Sequence, residues 1–102
     1  MEIEININKP IKLGGRGFMK TIFGAIALKD KEITNRYNKE LSILTNKLLK
    51  ILQEKYDKET MINFNFIIDI DSNTKIPKKI LIRKVTIWEP FKIIQENIEV
   101  TL

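Results

Sequence analysis

DKEITNRYNKELSILTNKLLKILQEKY, residues 30–56, decides how this chain folds. Ile33, Tyr37, Leu41, Leu44, Leu48, Ile51 and Leu52 recur at three- and four-residue steps, the spacing that collects side chains along one side of an α-helix. Asp30 and Thr34 are the candidates for its N-cap. An unbroken helix over this segment would be about 40 Å long at 1.5 Å per residue, against a diameter of roughly 34 Å for a compact domain of this size. It must break or overhang. An overhanging apolar stripe needs cover, which would argue for a second copy of the chain. Ile43 and Leu49 widen the stripe, and Tyr37, Leu41, Leu44, Leu48 and Ile51 would also suit a coiled-coil seam.

Working outward, residues 61–70 place Ile62, Phe64, Phe66, Ile68 and Ile70 on one side of a strand, with Asn63 and Asn65 opposite. Asp71-Ser72-Asn73-Thr74 reads as a turn. Residues 79–88 form another strand whose apolar face shifts at Arg83-Lys84, the mark of a β-bulge. Glu89-Pro90 bends the chain, and Phe91 to Leu102 supply one or two short strands. Upstream, Ile3, Ile5 and Ile7 alternate with Glu2, Glu4, Asn6 and Asn8 in a half-buried strand that ends before Pro10. Gly14-Gly15-Arg16-Gly17 is a loop. Residues 18–28 form a run too short for periodicity to decide between a buried strand and a short helix; a strand pairing with the first is the expectation. The predicted fold is α+β: one domain over residues 1–102, an antiparallel sheet of about four to five strands with one long amphipathic helix packed on one face.

Composition narrows the function. With 102 residues, 43% apolar and 30% charged, the chain can bury a core of its own. Charges interrupt every apolar run well short of the roughly 20 residues of a membrane span, and Met1-Glu2-Ile3-Glu4 lacks a signal-peptide layout, so a cytoplasmic location without membrane contact is expected. Neither cysteine nor histidine is present. Their absence removes disulfides, thiolate and imidazole metal ligands, and every Ser-His or Cys-His catalytic arrangement. The expectation is therefore a protein that is not an enzyme, with no cofactor, no metal site and no catalytic residue.

The net charge of +5 is unevenly spread. Lys9, Lys12, Arg16 and Lys20 stand without an acid in residues 9–20. Residues 72–92 carry Lys75, Lys78, Lys79, Arg83, Lys84 and Lys92 against Glu89 alone, which leaves −4 for the rest. Two basic segments flanking strands can line a surface for phosphates, with the amides of Gly14, Gly15 and Gly17 close to an anion and Trp88 or Phe91 as a stacking platform. The alternative is that the lysines solubilise and protect sheet edges while the two aromatic residues are core. Asp69-Ile70-Asp71-Ser72-Asn73 imitates the first half of a calcium loop. Thr74 replaces the glycine and Ile80 the closing acid, so a polar turn is the better reading.

Tyr37-Asn38-Lys39-Glu40-Leu41, the amphipathic helix after it and an apolar strand ending Ile67-Ile68-Asp69-Ile70-Asp71 resemble the YbjQ-like family, small cytosolic ring-forming proteins labelled as heavy-metal-binding. The resemblance implies a homo-oligomer. In that family a Gly-Gly-Arg segment directly precedes the helix; here Gly14-Gly15-Arg16 lies upstream.

These readings combine into a small basic binding protein, self-associating as a dimer or higher oligomer, that contacts DNA, RNA or another polyanion. Lys12, Arg16, Lys20, Lys78, Lys79, Arg83 and Lys84 are its candidate nucleic-acid-binding residues. The alternatives are a protein-interaction module with an acidic protein partner, such as an assembly protein or inhibitor from a mobile element, and a metal-dependent enzyme using Asp69 and Asp71.

Overall fold

The computed structural model describes residues 1–7, 9–88, 91–94 and 97–102, with Trp88 and residues 91–94 described by their backbone alone. In chain order the elements are β1 (Glu2–Asn6), β2 (Ile11–Lys12), α1 (Gly17–Lys29), α2 (Lys31–Arg36), α3 (Asn38–Lys55), β3 (Met61–Ile70), β4 (Pro77–Trp88), β5 (Phe91–Ile94) and β6 (Ile98–Thr101). All described strand pairs are antiparallel. β3 and β4 form the central pair; β1 and β2 follow one another along the outer side of β3, and β6 and β5 along the outer side of β4. The α+β architecture expected from the sequence is present, with the helices on one face of the sheet.

The strand alternation fixes which face that is. Ile62, Phe64, Phe66, Ile68 and Ile70 of β3 join Ile80, Ile82, Val85 and Ile87 of β4, Ile5 of β1 and Ile98 and Val100 of β6 in one buried layer. The helices lay Phe18, Ile22, Ile26, Ile33, Leu41, Leu44, Leu48 and Leu52 against it. The opposite face carries Glu2, Glu4, Asn65, Lys84 and Glu99, all exposed.

Residues 18–28 form a helix, not the expected strand. Phe18, Ile22 and Ile26 stand four apart and turn inward together. Met19 and Phe23 are half-buried beside them, while Leu28 remains 90% exposed. The run is too short to show a helical period clearly in the sequence, and the tertiary contacts separate the two conformations.

The segment from Asp30 to Tyr56 is helical over the expected span but in two pieces. Asp30 caps α2 by accepting a hydrogen bond from the Ile33 amide at 3.2 Å. At Tyr37 (φ −117°, ψ 34°) the chain leaves helical geometry for one residue. The Tyr37 amide still closes α2 on the Ile33 carbonyl, and its own carbonyl opens α3 by accepting from Leu41. Its hydroxyl donates to the Thr74 carbonyl at 3.2 Å, tying the break to the β3–β4 turn. The 18 residues of α3 then span about 27 Å, within reach of the sheet beneath. Leu41, Leu44, Leu48 and Leu52 are fully buried against the chain's own strands. The helix breaks instead of overhanging, and the four leucines are covered by the chain's own strands, while Leu49 and Ile51 stay half-buried and Ile43 is 39% exposed.

Thr45 lies fully buried on this same side of α3, and its hydroxyl has no hydrogen-bond partner. An unpaired buried hydroxyl costs roughly 1–3 kcal/mol. Valine keeps the shape without the oxygen. Thr45→Val is expected to raise stability by about 1 kcal/mol, read as a higher urea midpoint with an unchanged slope. A lower midpoint would show that the hydroxyl is satisfied after all.

Candidate nucleic-acid interface

Basic residues reach the uncovered face through two irregularities in β4. Opposite Asn65 and Phe66 the register jumps from Lys84 to Ile82, and opposite Asp69 and Ile70 it jumps from Lys79 to Pro77. Each jump inserts one extra residue into β4, Arg83 in the first case and Lys78 in the second. Pro77, Ile80, Ile82, Val85 and Ile87 are all buried, so the two residues between each flanking apolar pair are turned the other way together. Lys78-Lys79 and Arg83-Lys84 thereby become outward pairs on one strand. The bulge expected at Arg83-Lys84 is present; the one at Lys78 carries the same pattern of two cations between inward residues.

Lys12 joins this face at its far end. Ile11 of β2 enters the core and Lys12, its neighbour, is exposed opposite Met61. Lys12 is thus level with Met61, Lys84 with Asn65 and Lys79 with Asp69. These are every fourth residue of β3, which sets Lys84 and Lys79 of β4 roughly 13 Å apart, while Lys12 stands across β3 from them on β2. Arg16 and Lys20 are not among them. Arg16 sits at the start of α1, and Lys20 is exposed on a helix whose Phe18, Ile22 and Ile26 face inward, so both belong to the helical layer.

Charge on this face is partly compensated. Lys79 Nζ lies 3.3 Å from Glu99 and 3.8 Å from Asp69, and Lys78 Nζ lies 3.9 Å from Asp69. The hydrogen bond and charge of Glu99, then the charge of Asp69, hold the Lys79 ammonium above the usual lysine range. Lys12 is 2.9 Å from Glu59. Arg83 and Lys84 form no ion pair with a described residue. Around Lys84 a shallow groove is lined by Ile7, Asn63, Phe64, Asn65 and Thr86. The side-chain oxygen of Asn63 there is buried without a partner. These amides and the Thr86 hydroxyl were not among the expected site residues; their position opposite the apolar face of the strands was the available signal.

Gly14 serves the fold instead of an anion. Its amide donates to the Lys58 carbonyl at 2.8 Å, and an added Cβ would stand 3.1 Å from Lys58. Gly15, at φ +84°, supplies the left-handed residue the loop needs. The stacking role considered for Trp88 and Phe91 falls on side chains outside the described set. Among the described residues no three Asp or Glu side chains gather as a metal site, and no helix is long and apolar enough to cross a membrane. Asp69 instead engages lysines, while Asp71 organises the β3–β4 turn by accepting the amides of Asn73 and Thr74 at 2.8 and 2.9 Å.

No family model, curated protein or solved structure matches the chain.

The turn makes a pH-dependent prediction. The Thr74 and Asn73 amides favour the charged form of Asp71 and hold its carboxyl below the usual aspartate range. A depressed folded-state pKa contributes stability that is complete above the unfolded-state value and disappears as pH falls through the folded one. The stability gap between the native protein and Asp71→Ala should therefore be constant near neutrality and narrow only in that acidic window. Carbon-detected NMR of the carboxyl gives the midpoint directly, and a value at or above the usual aspartate range contradicts the assignment.

Proposed function

We propose that this protein is a non-enzymatic binding protein that holds nucleic acid along the uncovered face of its sheet. The observation that carries the reading is the pair of bulges in β4, which present Lys78-Lys79 and Arg83-Lys84 together on a face that no described helix covers. Cations roughly 13 Å apart are too far for one phosphate group and suit a polymer of them. Arg83 and Lys84 form the centre of the contact, because neither must first give up a described carboxylate. Arg83 brings a planar fork for a phosphate and Lys84 a compact charge beside it. Asn65 and Thr86 lie next to Lys84 and offer hydrogen-bonding groups to sugar or base edges. Glu2 and Glu4 on one side and Glu99 on the other border the basic strip and confine a bound strand to the line of β4.

Fluorescence anisotropy with a labelled 20-nucleotide single strand and the matching duplex, measured over a salt series, tests this reading. Affinity should fall steeply as salt rises. Removing both charges in Arg83→Ala/Lys84→Ala should reduce the magnitude of the logarithmic salt slope by about 1.4–1.8, from roughly 0.7–0.9 per phosphate neutralised. Arg16→Ala/Lys20→Ala, in the helical layer, should leave the slope nearly unchanged. No binding to either nucleic acid at low salt ends the proposal, and a slope that responds to Arg16 and Lys20 instead moves the interface off the sheet.

A further inference from the structure

A second surface lies at the sheet's edge, where β6 runs beside α3. In the β4–β6 ladder Lys79 is opposite Thr101, Ile80 opposite Val100 and Ile82 opposite Ile98. The Leu102 amide donates to the Lys78 carbonyl. Hydrogen-bonded and non-hydrogen-bonded pairs alternate in an antiparallel ladder. Val100 and Ile98 therefore bond to β4, while the backbone groups of Glu99 and Thr101 point outward. The Thr101 carbonyl confirms the direction, since it accepts a hydrogen bond at 2.6 Å from Lys47 of α3, outside the sheet. Among the described residues no strand pairs with this outer side of β6.

Beside that edge runs a groove lined by Lys47, Lys50, Ile51, Glu99, Val100 and Thr101. Half-buried Ile51 and the aliphatic stems of the two lysines provide an apolar floor. The lysine ammonium groups stand on the helix side. The edge's own acid, Glu99, is engaged by Lys79 on the other face. A free strand edge, an apolar floor and a cationic wall are the components of recognition by strand addition: main-chain hydrogen bonds give affinity, and alternate side chains give specificity.

We propose that this groove binds an extended acidic peptide segment of a protein partner, added to the sheet as a strand alongside β6. The peptide's amides and carbonyls pair with those of Glu99 and Thr101. Its inward side chains pack on Ile51, and its carboxylates meet Lys47 and Lys50. Lys47 leaves the Thr101 carbonyl as the peptide takes that acceptor. The site is separate from the Arg83-Lys84 face and stands whether or not that face binds nucleic acid.

The test uses the full chain, labelled with nitrogen-15, and two acetylated, amidated decapeptides: alternating Val and Glu, and alternating Val and Lys. The Glu peptide should shift the amide resonances of Glu99 and Thr101 and slow their hydrogen exchange; the Lys peptide should not. Lys47→Glu/Lys50→Glu, at two exposed positions, should weaken the Glu peptide about tenfold and make the Lys peptide the better ligand. That exchange of preference also separates a local effect from loss of folding. Shifts confined to Arg83 and Lys84 would mean that the peptide acts only as a polyanion on the sheet face, and would overturn the proposal. So would no shift at millimolar peptide. If the Glu99 and Thr101 amides are already protected in a free protein of doubled mass, a second copy occupies the edge and the peptide site is refuted.

Discussion

The pairing of β3 with β4, interrupted twice, is the constraint from which the rest of the molecule follows. Side chains alternate along a strand, so a regular β4 holding Ile80 and Ile82 in the core would send Lys84 in with them and Val85 and Ile87 out. It would bury Lys78 in the same way. A lysine unpaired in an apolar layer is costly enough that the chain cannot adopt that register. One extra residue at each site resolves the conflict, returning Pro77, Val85 and Ile87 to the buried side. The bulges are thus demanded by the core, and the outward pairing of cations is their consequence on the other face.

The helical layer obeys a comparable limit. A straight helix from residue 31 to residue 55 would outrun the strands it covers, and its apolar side would be left partly in water. Breaking at Tyr37 lets α2 turn away to close the end of the domain near the β3–β4 turn, while α3 keeps four leucines on β4 and β6. Three hydrogen bonds hold the break without a glycine or proline, at the Tyr37 amide, carbonyl and hydroxyl. Placing α3 over β6 also brings Lys47 to the sheet edge, so the helix that shields the core shapes the groove as well.

Much of this was legible in the residues. Ile62 through Ile70 announce β3 by strict alternation, Asp30 marks a helix start, and the two adjacent charges Arg83-Lys84 amid apolar alternation mark a bulge. What was not legible shares a cause. Residues 18–28 make a mostly apolar run too short for its period to separate strand from helix. The break at Tyr37 carries only the weak preference of Asn35 and Asn38 for helix ends, and neither marks which residue leaves the helix. The candidate site divides in the same way. A cluster of basic residues is a property of sequence, but whether Arg16 and Lys20 share a surface with Lys84 is decided by topology. The extra turn-out at Lys78 follows the rule that revealed Arg83, and was obscured because Pro77 lies before the apparent start of the strand.

The same sheet face carries cations in unequal states. Lys79 stands between Glu99 and Asp69, and Lys78 shares Asp69. An anion arriving there must replace carboxylates already in place, so the favourable contact it makes is largely offset by those it displaces. Arg83 and Lys84 lack such partners among the described residues, and Lys84 adjoins an amide oxygen that is itself unsatisfied. The uncompensated charge of the face therefore sits at its middle, where the first bulge turns Arg83 and Lys84 out side by side. Glu99, the one acid lining the groove beside β6, is paired with Lys79, so Lys47 and Lys50 are the uncompensated charges there.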